Sequence, residues 1–134
     1  MTAEIKYTNP PALPTPVGYS QVVEARAKSF FFIAGQVPVD VKGELVGAGN
    51  FEAQVEQVFR NLAAALASVG CTAKDLVKLN VYVRDMDNLV AYRAARAKFF
   101  GSVTPPAAPA VTLVEVSRLY LGEIMLEIEA VAAA

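Results

Sequence analysis

Hydrophobic and polar positions along the chain change their period several times, and each change marks an element. Residues 30–33, Phe-Phe-Phe-Ile, form a short continuous apolar run that ends at Gly35. Such a run reads as a strand covered on both faces. The preceding stretch, SQVVEAR, is expected to be its hairpin partner. Between Asn50 and Gly70 the period lengthens: Val55, Phe59, Leu62, Leu66 and Val69 step by four and three residues and make one apolar stripe. The spacing predicts a helix at about 51–69, with Asn50 as N-cap, Glu52 in the first turn and Gly70 ending it in the left-handed conformation. The segment DLVKLNVYVRD then alternates. Val77, Leu79, Val81 and Val83 share one face, and Lys78, Asn80, Tyr82 and Arg84 the other.

A second helix is predicted at about 88–100, behind Asp87 and before Gly101, with Leu89, Tyr92, Ala95 or Arg96, and Phe99 on its inner side. The segment TPPAAP is a rigid connector. A strand follows at 109–118, and a last one runs from about 123 to 132. In the last strand Met125, Glu127 and Glu129 face one way, and Leu126, Ile128 and Ala130 the other. Residues 8–17 carry four prolines and must be extended or turning, so the first 17 residues are read as a Pro-rich arm. VPVDVKGEL is a loop with a turn near Lys42–Gly43. The resulting order, β-β-α-β-α-β-β, is an α/β (α+β) fold: one domain over residues 1–134, a mixed sheet with two helices on one face.

Composition narrows the chemistry. Of 134 residues 54% are hydrophobic with glycine left uncounted, above the usual share for a globular domain. The excess suggests apolar surface shared between subunits, on the sheet face that the helices leave open. Net charge is −1, so no basic field exists to capture nucleic acid or an anionic membrane. Histidine is absent and Cys71 is the only cysteine, which removes Ser–His and Cys–His pairs and any Cys cluster for zinc. Cys71, after the helix-ending Gly70, reads as a structural thiol. No metal site or organic cofactor is expected. The long uncharged stretches are broken by prolines and do not read as membrane spans. The first residues lack the pattern of a secretory signal, and a reducing, cytoplasmic location is the simplest fit.

Several motifs, in order, carry a resemblance. GYSQVV at 18–23, AGQVPVD at 34–40, LASVGCTAKDLVKLNVYVRDMDN at 66–88, KFF at 98–100 and VEVSRL…LEIEAVA at 114–132 resemble the RidA/YjgF family, from about residue 8 to the end. The resemblance implies a chorismate-mutase-like fold. It implies a homotrimer with its sheets packed as a central barrel, and a small-molecule cleft between each pair of subunits. It also implies hydrolysis of reactive enamines and imines to a carbonyl compound and ammonia, without a cofactor.

The resemblance also assigns residues. Tyr19 of GYSQ is a cleft-lining tyrosine, the alternative being a packed aromatic. Ala34 and Gly35 fall where the family uses backbone groups; Gly35 alone reads as a strand-end glycine. Glu127, the first acid of the EIEA motif, matches the group that positions or activates the attacking water, the alternative being a solvated edge-strand acid. Glu129, two residues on along the same face, makes either a working pair with it or a polar face.

One position departs from the family. Active members carry an arginine at the head of the penultimate strand that grips the substrate carboxylate. Here the aligned residues are Pro109, Ala110 and Val111, with Leu113 two positions further. Losing such an anchor removes about 2–5 kcal/mol. Val111 and Leu113 are therefore expected to shape an apolar cleft. Arg93, and Arg96 one step further along the second helix, are candidate replacements; the alternative is that both snorkel on its outer face. Three readings follow: a cofactor-free imine deaminase of altered substrate range, a non-catalytic small-molecule binder, and a chaperone-like interaction protein.

Overall fold

A computed structural model describes residues 3–134. Strands β1 (Glu4–Thr8), β2 (Val22–Arg26) and β3 (Phe30–Gln36) precede helix α1 (Phe51–Ser68). Strand β4 (Leu76–Val83), helix α2 (Leu89–Phe100), and strands β5 (Ala110–Glu115) and β6 (Leu126–Ala133) follow. The predicted order holds from β2 onward, with two helices and a mixed sheet.

Two expectations at the N-terminus are corrected. A strand, β1, precedes the prolines of the expected arm, and β2 pairs antiparallel with it rather than with the Phe-rich strand. The alternation of Tyr7, Val23 and Ala25 with charged residues suits a two-stranded ribbon. Its partner was hidden behind Asn9–Pro10, where the chain turns. Phe30–Gln36 instead pairs antiparallel with β6 in a four-stranded sheet ordered β3-β6-β4-β5. Strands β4 and β5 are parallel, and β4 and β6 antiparallel.

Helix α1 forms as predicted. Asn50 Oδ1 accepts from the Ala53 N–H at 3.1 Å, and Gly70 has φ +74°. The stripe Val55, Phe59, Leu62 and Leu66 is buried, whereas Val69 is the exposed C-cap residue. Helix α2 is entered through a 3-10 turn at Met86–Asn88, where Asp85 accepts from the Asp87 N–H at 2.9 Å. Its inner face adds Phe100 to Tyr92. Phe59, Tyr92 and Phe99 form a run of stacked rings, 4.8 Å between the Phe59 and Phe99 centroids. The helices cover one face of the sheet: Leu79, Val81, Leu126, Ile128 and Ala132 are fully buried beneath them. A bulge between Leu76 and Lys78 turns Leu76 into the same core.

The other face carries Lys78, Asn80 and Tyr82 from β4, Glu127 and Glu129 from β6, and Thr112 and Val114 from β5. Phe32, beside Val131, is 81% exposed. Helices α1 and α2 pack on the opposite face and leave this one uncovered by either.

Candidate functional site

Glu127 and Glu129 occupy successive same-face positions on β6. Tyr82 stands directly across from Glu127, and Asn80 across from Glu129. Tyr82 OH donates to Glu129 Oε1 at 2.5 Å, and Asn80 Nδ2 donates to the same oxygen at 3.2 Å. Glu129 is thus committed to its neighbours; its bond pushes the Tyr82 phenol up. Glu127 accepts no hydrogen bond among the described residues. Burial, and secondarily the charge of Glu129, push its carboxyl above the usual glutamate range.

Strand β3 supplies the wall. Ile33 pairs with Ala130 and Gln36 with Ile128, so Ala34 and Gly35 together oppose Glu129 alone. This is a β-bulge. The expected strand-end role of Gly35 is corrected by it: the glycine sits inside the strand. A Cβ on Gly35 would land on the Glu127 carboxylate, 2.7 Å from its Cδ. Only glycine therefore gives the carboxylate its present seat. Ala34 is exposed, and its carbonyl accepts from Gln36 Nε2 at 3.0 Å.

Gln54 enters this assembly without any signal in the apolar stripe. It is fully buried on α1, where its Nε2 donates to the carbonyls of Gly47 (3.1 Å) and Glu123 (2.9 Å). Its Oε1 accepts from the Met125 N–H at 2.9 Å, two residues before Glu127. One side chain thus fixes the entry of β6 to the helix layer.

The other expected residues gather elsewhere. Tyr19 is half-buried in a segment folded back on itself: Gln21 N–H donates to Asn9 Oδ1 at 2.8 Å, and Gln21 Nε2 to the Pro14 carbonyl at 2.9 Å. The Ser20 N–H donates to the Pro109 carbonyl at 3.1 Å, which ties this segment to the head of β5. Val111 and Leu113 pair with Leu79 and Val81, half-buried on the helix side of the sheet against the core. Within one chain they lie on the face opposite Glu127. They are also two strand spacings away, about 9–10 Å across the sheet. Arg93 is exposed and makes no hydrogen bond or ion pair among the described residues. Arg96 is half-buried, and its Nη2 donates to the Val17 carbonyl at 3.2 Å. Cys71 is buried, and burial pushes its thiol up.

No cluster of three or more potential metal ligands occurs among the described residues, and no described helix is long and apolar enough to cross a membrane. A groove of about 920 Å³ lies between α1 and α2, floored by Val55, Phe59, Ala91, Ala95 and Phe99, on the helical side away from Glu127.

The mixed sheet under two helices, with an acid seated against a bulge glycine, defines a class that comparison makes specific. The chain belongs to the Endoribonuclease L-PSP family, the RidA/YjgF group, whose model matches residues 10–134. It is 40% identical over 121 residues to a RutC family protein of Pyrococcus horikoshii, covering 89% of this chain and 90% of that one. A RutC family protein of Synechocystis is 39% identical over 121 residues, with 89% and 88% covered. Among solved structures, the Yersinia pestis protein YyfB of the conserved Rid family superposes with a TM-score of 0.89 at 34% identity, covering 97% and 98% of the two chains. Escherichia coli TdcF, solved with bound serine, gives 0.72 at 27% identity, with 96% and 98% covered.

Proposed function

We propose that this protein is a cytoplasmic homotrimer that binds a small metabolite in clefts between subunits and hydrolyses an imine there to a carbonyl compound and ammonia. The observation that carries the reading is the seat of Glu127: a half-buried carboxylate that accepts no hydrogen bond among the described residues, backed by a glycine. Such a group can take a proton from water as the water oxygen adds to the C=N carbon. The proton passes to nitrogen, and collapse of the carbinolamine releases ammonia.

The separation of the two groups of residues supports a shared cleft. Strand β5 is an edge strand, and the face holding Glu127 is open and bears exposed Phe32. A neighbour covering that face would bury Phe32 and could bring its own β5 edge, with Tyr19 and Val111, to Glu127. The serine bound by the relative TdcF fits an amino-acid-derived ligand. Val111 favours a second reading, a non-catalytic binder, because it leaves the strand without the family's carboxylate anchor.

Ammonia release from a freshly generated 2-imino acid, with wild type and Glu127→Gln, tests the choice. Acceleration by wild type that the variant loses supports hydrolysis. Binding of a 2-oxo acid without acceleration supports the second reading.

A further inference from the structure

Helix α2 is apolar on two sides. Tyr92 and Phe100 face the core. Val90, Ala91, Ala94 and Ala95 line the groove between α1 and α2. A helix that packs on one side only carries polar residues on the other. Here Val90, on the rim of the groove, is 79% exposed. The alanines put nothing larger than a methyl group along the trough, which Val55, Phe59 and Phe99 complete.

The charges of the rim are sorted by sign. Strand β3 runs parallel to β4, since each is antiparallel to β6, and β4 runs parallel to β5. Helices α1 and α2 each make the return crossing, so they run parallel to one another. One end of the groove therefore holds the start of both helices. Glu52 and Asp87 stand at that end. Lys98 stands toward the other, about 16 Å further by helical rise. Arg60, on the α1 wall, is spent on Glu56 at 3.1 Å. Glu52, Asp87 and Lys98 are exposed and join no ion pair among the described residues. The dipole of each helix favours such sorting, but it does not call for an apolar trough between the two signs.

We propose that this groove is an interface with a second copy of the chain, related by a two-fold axis normal to the groove. Such an axis reverses the direction of the helices. Lys98 of each copy then meets the Glu52 and Asp87 end of the other, and the contact is made twice. The exposed Val90 of each copy is a knob for the alanine trough of the other. Two helices from each copy pack as a four-helix layer. Charge selects this occupant: a small amphiphile with one head group answers one end of the groove, whereas a second copy answers both. The groove lies on the side of the fold away from Glu127. The pairing therefore leaves the proposed clefts open and does not depend on their chemistry. It joins basal oligomers into larger assemblies.

Sedimentation equilibrium of the full-length protein over a wide concentration range is the test. For wild type the expected result is a weight-average mass that rises with concentration to at least double that of the basal oligomer. It should fall back in high salt, where exposed charges are screened. Lys98→Glu makes both ends of the groove acidic, and Glu52→Lys with Asp87→Lys makes both ends basic. Each of these variants alone is expected to associate about tenfold more weakly than wild type, or worse, and an equimolar mixture of the two to regain the association. The regain also shows that each variant is folded. A mass that stays at the basal value at every concentration overturns the proposal. So does association that the charge variants leave unchanged, which puts the contact on another face. A basal mass together with anilinonaphthalene sulfonate fluorescence that Ala94→Trp abolishes overturns it too, and assigns the groove to a small amphiphile.

Discussion

Gly35 and Glu127 form a fitted pair: the hydrogen of the glycine faces the carboxylate, where any Cβ would overlap it. Gly35→Ala does not strain the backbone, since φ there is not positive. The side chain that must yield is the flexible end of Glu127. The expected outcome is a small change in thermal unfolding, within about 1 kcal/mol, together with a loss of imine hydrolysis of about tenfold or more as the carboxylate turns away. Ammonia release and calorimetry on the same preparation check it.

Glu127→Gln is expected to lower hydrolysis by about 10²–10⁴. Its effect on stability has the opposite sign. Folding raises the carboxyl above its unfolded value, so the protonated form is favoured in the folded state. That contribution is present below the unfolded pKa and is lost as pH rises through the folded one. The glutamine variant should therefore unfold at a higher temperature than wild type at pH 7, and the difference should vanish near pH 4. Thermal scans at the two pH values decide it.

The acidic limb of the kcat/KM profile offers a separate check. If Glu127 acts as the base, the limb lies above the ordinary glutamate value of about 4.3. Because the charge of Glu129 contributes to the shift, Glu129→Gln should move the limb to lower pH. A limb that stays where it is would remove Glu127 from the titrating role.

Gln54→Leu is expected to cost about 1–3 kcal/mol for each backbone group left unpaired, among the carbonyls of Gly47 and Glu123 and the Met125 N–H. Denaturant unfolding measures this. The loss should also appear in activity, because Met125 leads into the strand that carries Glu127.

Val111→Arg restores the family's cation at the head of β5. It is expected to raise kcat/KM for a carboxylate-bearing imine by about tenfold or more, at a stability cost of about 1–3 kcal/mol for placing polar atoms against the core. Equal activity in a correctly folded variant would show that this position does not face the substrate.

By itself the sequence determined the elements whose signals are local. The stripe Val55, Phe59, Leu62 and Leu66, the cap Asn50 and the left-handed Gly70 define α1 because a helix depends on neighbours three and four residues apart. The alternation at 76–83 and 125–130 likewise put Glu127 and Glu129 on one face before any fold was known. Tertiary structure decided what depends on distant residues. The Phe-rich strand pairs with β6, about a hundred residues away, because pairing follows surfaces that meet in the fold rather than adjacency in the chain. Gly35 reads as a strand end until the bulge opposite Glu129 is seen. Gln54 breaks the apolar pattern, and its role appears only with the three backbone groups it joins. The family resemblance makes Val111 a site residue, yet β-sheet parity turns it to the helix side, away from the Glu127 of its own chain. Arg96, one of two equivalent helix arginines in the sequence, is distinguished from Arg93 only by the side of α2 that packs against the Tyr19 segment.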